Sequence, residues 1–441
     1  MKFELDRQTI KDLGIFGDGK SNSSIFGFYN STKTNGGKEC LLSLMEKPLT
    51  DLQQLRRRSE LIQHLASIGL NLKIDATQFD FIETYINLNT PPLRNNVVDA
   101  FVQNVSYRVK SQNNDYYLIL SGIQQLIILI RDIKETTYQL NNDLPEDLAL
   151  LVSRIKQFTN HFNPEAFKRV NKLGAIDINR LDFLFRKKYK NELHDFIQTI
   201  YLLDAYCSVG KVAIENKLAF VDYIDTATPE ISIQQLRHPL LKNAVSYDVD
   251  FTKSKNLCFL TGPNMAGKST LLKSLAIAVY ISHIGFPVTA AKMSTSIYNG
   301  IIVTVNLSDN LNRGYSHFYS EVRRVKEVAI KLKEKNRLFV IFDELFRGTN
   351  VKDAFDASLL TIESFAKIKK STFCVSTHIT EVAEKLGELS NMDFKCFDSE
   401  IIDGEPIYNY VLKNGVSHER LGMYILKKEG IVEILNSITE N

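Results

Sequence analysis

The sequence predicts an α-helical region followed by an α/β domain with a mostly parallel sheet. From about residue 41 to residue 216, apolar residues recur at helical spacing in long amphipathic patterns. From about Asp222–Ile233 onward, short apolar runs alternate with helical patterns, which indicates parallel strands joined by helices. We therefore predict two domains, a helical one over residues 1–225 and an α/β one over residues 226–441.

Composition and charge limit the classes of protein that fit. The 441 residues are 44% apolar, which supports a buried core, and the formal net charge of +3 does not by itself indicate a nucleic-acid binder. The five cysteines lack paired spacing, which argues against a zinc site and for reduced thiols. The N-terminus lacks a signal peptide's apolar core, and the apolar stretch Tyr117–Ile130 is shorter than a bilayer span. These features predict a soluble, cytoplasmic protein with no membrane partner.

The predicted helical domain contains three long amphipathic patterns. They cover Leu118–Gln139, Pro145–His161 and Asn191–Lys217. Nearer the N-terminus, the stretch Asn35–Gly37 is rich in turn-forming residues and is predicted to be a loop.

The predicted α/β domain alternates strands with helices. The strands are Asn256–Thr261, Ile301–Val305, Leu338–Phe342 and Ser371–Ser376. The helices are Gly267–Ile284, Tyr319–Lys335 and Asp353–Lys367. Two further apolar runs, Asp393–Ile402 and Ile407–Leu412, flank Asp403-Gly404 and are typical of a hairpin.

A phosphate-binding loop is predicted at Gly262–Thr270, which reads GPNMAGKST and fits the Walker A pattern. It lies between an apolar strand and a helix, which is the context that the motif requires. Glycines let the backbone wrap a phosphate, and the N–H groups at the helix start face the anion. Lys268 is expected to reach the β and γ phosphates of ATP, and Ser269 to bind Mg²⁺. A chance glycine-rich turn is the alternative, which the complete motif in its strand-to-helix context disfavours.

Two polar segments follow the later strands. Asp343-Glu344 follows the strand Leu338–Phe342 and fits a Walker B motif, with Asp343 near the metal and Glu344 orienting or deprotonating water. His378 follows the strand Ser371–Ser376 and could hydrogen-bond the γ-phosphate or the water. Without the phosphate loop, these residues would be interpreted as a solvated strand end and a capping histidine. With it, we predict Lys268, Glu344 and His378 as catalytic residues.

Taken in order, these motifs resemble the ATPase domain of MutS-type DNA mismatch-repair proteins. The loop has the Asn264-Met265 pair that is found in that family. The other matching segments are Leu236–Pro239, Ser308–Leu311 with Gly314–Phe318 and Glu321, Asp343-Glu344 with Arg347–Asn350 and Asp353, Thr377-His378, and Gly415–His418 with Gly422.

The helical half resembles the MutS lever region more loosely. Thr32–Gly37, with Leu41-Leu42 and Lys47–Leu49, is similar to its start, and Leu203–Ala205 is similar to the helix that returns to the ATPase domain. The resemblance thus implies an α-helical lever domain followed by an α/β P-loop ATPase domain of the ABC type, with C-terminal dimerising helices.

The same resemblance implies a homodimer with nucleotide at a shared interface. Ser316 of one subunit would complete the site of the other, and His238 would lie near the nucleotide. The implied metal ligands are Ser269 and Asp343. The implied nucleotide-binding residues are Gly262, Pro263, Asn264, Met265, Ala266, Gly267, Lys268, Ser269, Thr270, His238 and Ser316.

Several features depart from the family pattern. The mismatch-reading and connector domains are expected to be absent, and the clamp is expected to be reduced or absent. His317 stands where the family usually has threonine. No aromatic residue is obvious just before Val245, where a ring that stacks on the base is expected. The sequence leaves open whether a companion protein supplies the missing domains.

Three hypotheses about function follow. The first is a nucleotide-gated, MutS-like ATPase that binds branched or otherwise unusual DNA without reading mismatches. The basic clusters Arg56–Arg58 and Arg186–Lys190 are its candidate phosphate contacts, although such clusters are commonly solvated helix faces. The second is an ATP-dependent clamp or scaffold for a protein partner without DNA contact. The third, an inactive scaffold, is disfavoured because the residues predicted for hydrolysis are present.

Overall fold

The computed structural model divides the chain into two compact units. One consists of Met1–Phe28, Lys47–Arg56 and Asn216–Asn441, and the other of Tyr29–Glu46 and Arg57–Glu215. The residues that the structure describes are 2–17, 23–95, 114–140, 143–162, 173–305, 317–387, 389–402, 405–417, 426, 428–431 and 434–435.

The helices, in chain order, are α1 (Arg7–Asp12), α2 (Ile25–Tyr29), α3 (Asn35–Met45), α4 (Leu52–Ser67), α5 (Ala76–Ile86), α6 (Asn114–Tyr138), α7 (Glu146–His161), α8 (Ala175–Phe183), α9 (Lys190–Glu215), α10 (Lys268–Ser282), α11 (His317–Glu334), α12 (Val351–Ala366) and α13 (Glu381–Leu386). A π-helical turn, Leu184–Lys188, joins α8 to α9. The three long helices that the sequence predicts correspond to α6, α7 and α9.

The loop prediction for Asn35–Gly37 is wrong, because these residues form the first turn of α3. Thr34 caps this helix: its side chain accepts a hydrogen bond from the Gly37 N–H at 2.9 Å. The Thr34 hydroxyl in turn donates to the buried Asp204 carboxylate at 2.8 Å. A strong N-cap and a tertiary partner thus outweigh the low helix propensity of two glycines.

Helix α6 extends beyond Tyr117–Ile130, the apolar stretch that is shorter than a bilayer span. Asp115–Tyr138 is long and apolar enough to cross a bilayer by length and composition, so the prediction that it is too short was wrong. Ile123, Leu126 and Ile130 on this helix are fully buried within the protein. A core helix of this kind passes the same test, so the feature is weak evidence for a membrane.

A seven-stranded, mostly parallel sheet organises the α/β unit, as the sequence predicts. Its order is β1-β7-β8-β9-β5-β10-β11, and only the β10–β11 pair is antiparallel. The strands are β1 (Glu4–Leu5), β5 (Leu257–Thr261), β7 (Gly300–Thr304), β8 (Leu338–Phe342), β9 (Thr372–Ser376), β10 (Met392–Ile402) and β11 (Glu405–Asn414).

The central strands are buried on both faces, which explains their continuous apolar sequences. Every residue of β5, β8 and β9 is buried. Helices α11, α12 and α13 pack on one face, where Leu332, Ile362 and Leu386 join the apolar core. On the other face, Leu271 of α10 lines a small gap together with Cys258 and Cys374. The parallel register therefore leaves the carboxyl ends of β5, β8 and β9 side by side.

A second, four-stranded sheet and the N-terminal strand were not predicted. The small sheet has the order β2-β6-β3-β4, formed by Val221–Ile224, Lys292–Ser296, Ile231–Leu236 and Tyr247–Phe251. In the large sheet, β1 pairs in parallel with β7 at Glu4 and Leu5. The predicted domain boundary at residue 225 did not anticipate this N-terminal contribution to the α/β unit.

Candidate functional site

The three predicted motifs meet at one edge of the large sheet. Strand β9 lies between β5 and β8 and is parallel to both, so the segments that follow these strands are neighbours. The Thr377 N–H donates to the carbonyl of Leu260 at 3.4 Å, and the Leu345 N–H donates to the carbonyl of Ser376 at 3.3 Å. Ligand sites in parallel α/β sheets lie at this carboxyl edge.

The backbone of the loop from Gly262 to Gly267 depends on its two glycines. Gly262 has φ +141° and Gly267 has φ +106°, in the region that disfavours side chains. A Cβ at Gly262 would lie 2.8 Å from the carbonyl oxygen of Phe397, a contact that the backbone could not tolerate. Met265 also has positive φ and a largely exposed side chain. The glycines thus allow a tight concave loop.

Lys268 begins helix α10 and folds back over the loop. Its Nζ donates to the carbonyls of Gly262 at 2.8 Å and Pro263 at 2.9 Å, and the residue is almost completely buried. Burial lowers the pKa of Lys268, while the negative charges of Asp343 and Glu344 act in the opposite direction. The cation thus lies within the field of both predicted acidic residues.

The start of α10 has no side-chain cap. Its N-cap is Gly267, so no side chain accepts a hydrogen bond from the first N–H groups. Ser269 and Thr270 in this first turn line an open cavity. Uncapped N–H groups at the positive end of a helix facing a cavity form a site suited to an anion.

This cavity has a volume of about 620 Å³ and lies within the α/β unit. The predicted residues that line it are His238, Asn264, Met265, Gly267, Lys268, Ser269, Thr270 and Glu344. Gly262, Pro263 and the buried Ala266 complete the loop behind this lining. The lining residues that the sequence did not predict are Leu241, Asn243, Ala244, Val245, Tyr247, Arg347 and Tyr410.

The aromatic surface of the cavity comes from positions that the sequence did not indicate. No aromatic residue lies just before Val245, as the sequence indicates, but Tyr247 and Tyr410 both line the cavity. A Cβ at Gly267 would lie 3.3 Å from the Tyr410 ring and 3.5 Å from the Tyr247 hydroxyl. Tyr410 belongs to β11, so only the folded sheet brings it to the loop.

His238 also lines the cavity. Burial lowers its pKa, and the positive charge of Lys273 adds to the effect, so the imidazole is neutral near pH 7. Its Nδ1 accepts a hydrogen bond from the Leu240 N–H at 3.3 Å, which leaves the proton on Nε2. The ring thus provides a neutral donor at the cavity.

Asp343 and Glu344 follow β8 and are both held by Ser376. The Ser376 hydroxyl donates to the Asp343 carboxylate and accepts from the Glu344 N–H at 3.0 Å. Glu344 has φ +54° and Phe346 has φ +60°, conformations that cost free energy in non-glycine residues. Backbone strain of this kind persists where surrounding contacts enforce it, and it clusters at functional sites.

His378 and Arg347 clamp the Glu344 carboxylate. His378 Nε2 donates to Oε1 at 2.8 Å, and Arg347 Nη1 donates to Oε2 at 2.5 Å. Burial by itself would raise the pKa of Glu344, but the hydrogen bonds from His378 and Arg347 outweigh it and lower the pKa. The carboxylate is therefore ionised at neutral pH. The sequence analysis assigned Arg347 only to a family-like segment, although its three-residue spacing from Glu344 could have suggested the pair.

The donor set fits magnesium better than a metal held by protein ligands alone. Among the described residues, no group of three or more His, Cys, Asp or Glu side chains could hold a metal ion. The predicted ligands Ser269 and Asp343 offer one hydroxyl and one carboxylate. Mg²⁺ commonly uses one or two protein oxygens and completes its shell with phosphate and water.

The predicted trans-acting residue Ser316 lies outside the described residues. His317, which differs from the family pattern, begins helix α11. Its Nδ1 lies 3.6 Å from the Glu321 carboxylate one turn later.

The first basic cluster, Arg56–Arg58, is engaged in contacts within the protein. Arg56 donates to a backbone carbonyl at 2.6 Å, Arg57 forms an ion pair at 2.9 Å, and Arg58 donates to a tyrosine hydroxyl. Their respective partners are Tyr223, Glu146 and Tyr206. The three guanidinium groups therefore do not form one basic patch.

The second basic cluster contains a buried arginine. Arg186 forms an ion pair with Asp182 at 2.7 Å, and the two side chains are only 4% and 0% exposed. The ammonium groups of Lys187 and Lys188 lie over neighbouring aromatic rings, at 5.3 and 4.8 Å from the ring centres. Arg186 is thus a structural residue and not a candidate phosphate contact.

Comparisons with known proteins find similarity to MutS proteins. Residues 258–440 match the family model described as MutS domain V. The DNA mismatch repair protein MutS of Anaplasma phagocytophilum is 26% identical over 340 residues, which span 74% of this chain and 41% of that protein. MutS of Ehrlichia ruminantium strain Welgevonden is 25% identical over 344 residues, spanning 75% of this chain and 42% of that protein.

A relative from a fungus is similar to this chain to the same degree. The DNA mismatch repair protein MSH3 of Cryptococcus neoformans is 26% identical over 337 residues, spanning 71% of this chain and 27% of that protein. The chain thus matches less than half of the length of each of these relatives. Each match is longer than the α/β region after residue 225, so it extends into the helical half. The chain is therefore similar to MutS-family proteins over about three quarters of its length, and residues 258–440 match MutS domain V.

Proposed function

We propose that this protein binds ATP with Mg²⁺ and hydrolyses it slowly, as a nucleotide-gated switch in a homodimer. The cavity at the carboxyl edge of the sheet carries this proposal. It combines a glycine-shaped loop, a buried lysine and an uncapped helix start with an ionised glutamate. An anionic, phosphate-bearing ligand fits this combination of positive charge and backbone donors.

Each side chain receives a role from its position. Lys268 is poised to exchange its two loop carbonyls for phosphate oxygens, which removes the cost of burying an ammonium group. Ser269 and Asp343 would hold the metal, which neutralises phosphate charge when bound. The neutral His238 would donate a hydrogen bond to the nucleotide.

Glu344 is assigned to the orientation of the attacking water. Because its pKa is lowered, this carboxylate is a weak proton acceptor but a permanent hydrogen-bond acceptor. Phosphoryl transfer through a loose transition state needs positioning of the water more than strong base catalysis. His378 would hold the carboxylate by its Nε2–H and would lie beside the reacting phosphate.

The switch follows from a shared site. If Ser316 of a second copy completes the nucleotide site, ATP contacts both copies only in the closed form, so binding favours closure. Hydrolysis removes those contacts and permits opening. An isolated monomer with full turnover at low concentration would contradict this part of the proposal.

DNA, in branched or otherwise unusual forms, is the proposed ligand of the switch, and the mismatch-repair names of the relatives support it. One observation favours the alternative, a clamp for a protein partner. The arginines of both predicted basic clusters already have partners within the protein, so the anticipated phosphate contacts are weakened.

One experiment separates these functions. ATP turnover is measured at low salt with no DNA, homoduplex, mismatched duplex and four-way junction DNA, with Lys268→Ala as the control. We expect Mg²⁺-dependent turnover that junction DNA changes, and a loss of about a hundredfold or more in Lys268→Ala. Turnover without any DNA effect or DNA binding would support the clamp. Absence of turnover in the wild type would contradict both ATPase proposals.

A further inference from the structure

Glu321 of helix α11 is a buried carboxylate outside the cavity lining. Its side chain is 6% exposed, and burial of a charge is costly unless the group has partners. The nearby Arg324 is directed elsewhere, because its guanidinium donates to Asp6 at 2.7 Å and to Thr304 at 2.9 Å. Arg324 is therefore not the ion-pair partner of this buried glutamate.

The partners of Glu321 belong to the segment after β8. Its Oε1 accepts from the Arg347 N–H and its Oε2 from the Gly348 N–H, each at 3.4 Å. His317 Nδ1 lies 3.6 Å from Oε1. One carboxylate thus bridges the first turn of α11 and two successive backbone N–H groups of this segment.

Gly348 makes this close approach possible. A Cβ at this position would lie 2.8 Å from His317 Nδ1 and 2.8 Å from the backbone nitrogen of Phe318. The second of these contacts is with backbone and could not be relieved by rotating a side chain. The Phe318 and Phe346 rings also pack together, with 5.7 Å between their centres. The segment from residue 346 to 348 therefore rests directly on the first turn of α11.

The other end of the same segment holds Glu344. The guanidinium of Arg347 donates to the Glu344 carboxylate at 2.5 Å, while the Arg347 N–H donates to Glu321. Glu344 and Phe346 both have left-handed backbone conformations, which need external support. Arg347 thus connects Glu321, through its backbone, to Glu344, through its side chain.

We propose that Glu321 is a positioning residue for Glu344. It fixes the backbone of Arg347 and Gly348, so that the Arg347 guanidinium holds the Glu344 carboxylate in place for the attacking water. This inference rests on the proposed ATPase function and assigns a supporting residue to that site. Glu321 does not line the nucleotide cavity, so its removal affects the chemical step more than nucleotide binding.

The test uses the full chain and the variants Glu321→Gln and Glu321→Ala. Glu334→Ala, an exposed glutamate in the last turn of α11, is the matched control. We expect kcat for Mg²⁺-ATP to fall about tenfold or more in Glu321→Ala, with KM and the affinity for a fluorescent ATP analogue little changed. Glu321→Gln keeps one acceptor oxygen and should be intermediate. In Arg347→Ala, the further change Glu321→Ala should have little additional effect on kcat.

Hydrogen exchange of the peptide that covers residues 344–350 gives a readout that is independent of turnover. We expect exchange to accelerate in Glu321→Ala but not in Glu334→Ala, because two backbone N–H groups lose their acceptor. Unchanged exchange overturns the inference whether or not the protein hydrolyses ATP. Unchanged kcat in an active protein, or a parallel loss of ATP affinity and kcat, also overturns it. Wild-type protein without turnover contradicts the ATPase proposal itself, and with it the positioning role.

Discussion

Two pairs of arginine and carboxylate, Asp182–Arg186 in the helical unit and Glu344–Arg347 in the α/β unit, use the same chemistry in opposite surroundings. The Asp182 and Arg186 side chains are 0% and 4% exposed. Those of Glu344 and Arg347 are 22% and 51% exposed. The first pair is sealed inside the protein, whereas the second lines a cavity.

The two pairs differ in the further hydrogen bonds that their side chains form. Asp182 also accepts from the Leu93 N–H at 2.6 Å, and Arg186 also donates to the Thr90 carbonyl at 2.8 Å. The buried pair therefore fastens the chain near Leu93. The open pair instead maintains a strained, ionised Glu344 at a cavity wall. The same pairing of an arginine with a carboxylate thus serves stability in one place and the proposed chemistry in the other.

The largest expected effect comes from breaking the buried pair. Asp182→Ala leaves the Arg186 charge without its partner in a dry site, so the free energy of unfolding should fall by about 3–5 kcal/mol. Urea denaturation followed by circular dichroism measures this change. The exposed pair Arg57–Glu146 provides the control, and Glu146→Ala should cost less than about 1 kcal/mol. Equal losses in the two variants would remove the distinction that burial makes.

A smaller effect, and one of a different kind, is expected at the open pair. Glu344→Gln keeps the shape of the side chain but removes the charge that holds the water, so kcat for ATP should fall about a hundredfold. Nucleotide affinity and the free energy of unfolding should change little, because the group is partly exposed. Steady-state turnover and equilibrium binding measure the two properties separately. A variant with normal kcat would show that Glu344 is not the water-positioning group.

The third and smallest expected effect is on the pH dependence of stability, and it comes from His283, which is buried without an ion pair. His283 is completely buried, and this burial lowers its pKa to about 4; the charge of Arg337 acts in the same direction, against hydrogen bonds with Val279 and Tyr298. The unfolded chain binds a proton near pH 6.5, whereas the folded one does so only near pH 4. The contribution of His283 to the free energy of unfolding should therefore be fully present above about pH 6.5 and should be lost as the pH falls toward 4. We expect a decrease of about 2 kcal/mol between pH 7 and pH 5.

The variant His283→Gln isolates this contribution. Its unfolding free energy should depend less steeply on pH between 7 and 5 than that of the wild type, whatever its absolute stability. The same slope in both proteins would show that His283 is not the group responsible.

The sequence predicted the large sheet and most of the candidate site because both depend on local signals. A continuous apolar run followed by polar residues marks each of β5, β8 and β9, and parallel pairing brings their ends together. Gly262 and Gly267 indicate positions of positive φ, and this requirement can be recognised from the sequence of the loop alone. Strand β1, with two residues, carries no comparable signal and was missed.

The incorrect predictions concern residues whose conformation or burial is determined by long-range contacts. Asn35–Gly37 have loop-like composition, but the buried Asp204 and the Thr34 cap make them helical. Arg186 belongs to a basic run by sequence, yet its partner one turn earlier draws it into the interior. Tyr410 reaches the cavity only through the pairing of β10 with β11 and through the parallel pairing of β10 with β5.

The N-terminal segment links distant parts of the chain in a way that bears on its synthesis. The Thr9 hydroxyl accepts from the Val303 N–H, a separation of 294 residues, and the Asp12 carboxylate accepts from the Val305 N–H at 2.8 Å. Translation at 5–20 residues per second delivers Val303 roughly 15–60 s after Thr9. During that interval, Phe3 and Leu13, which are buried in the folded protein, lack their final partners. The edge of the sheet beside β7 is therefore completed late, only after β7 has left the ribosome.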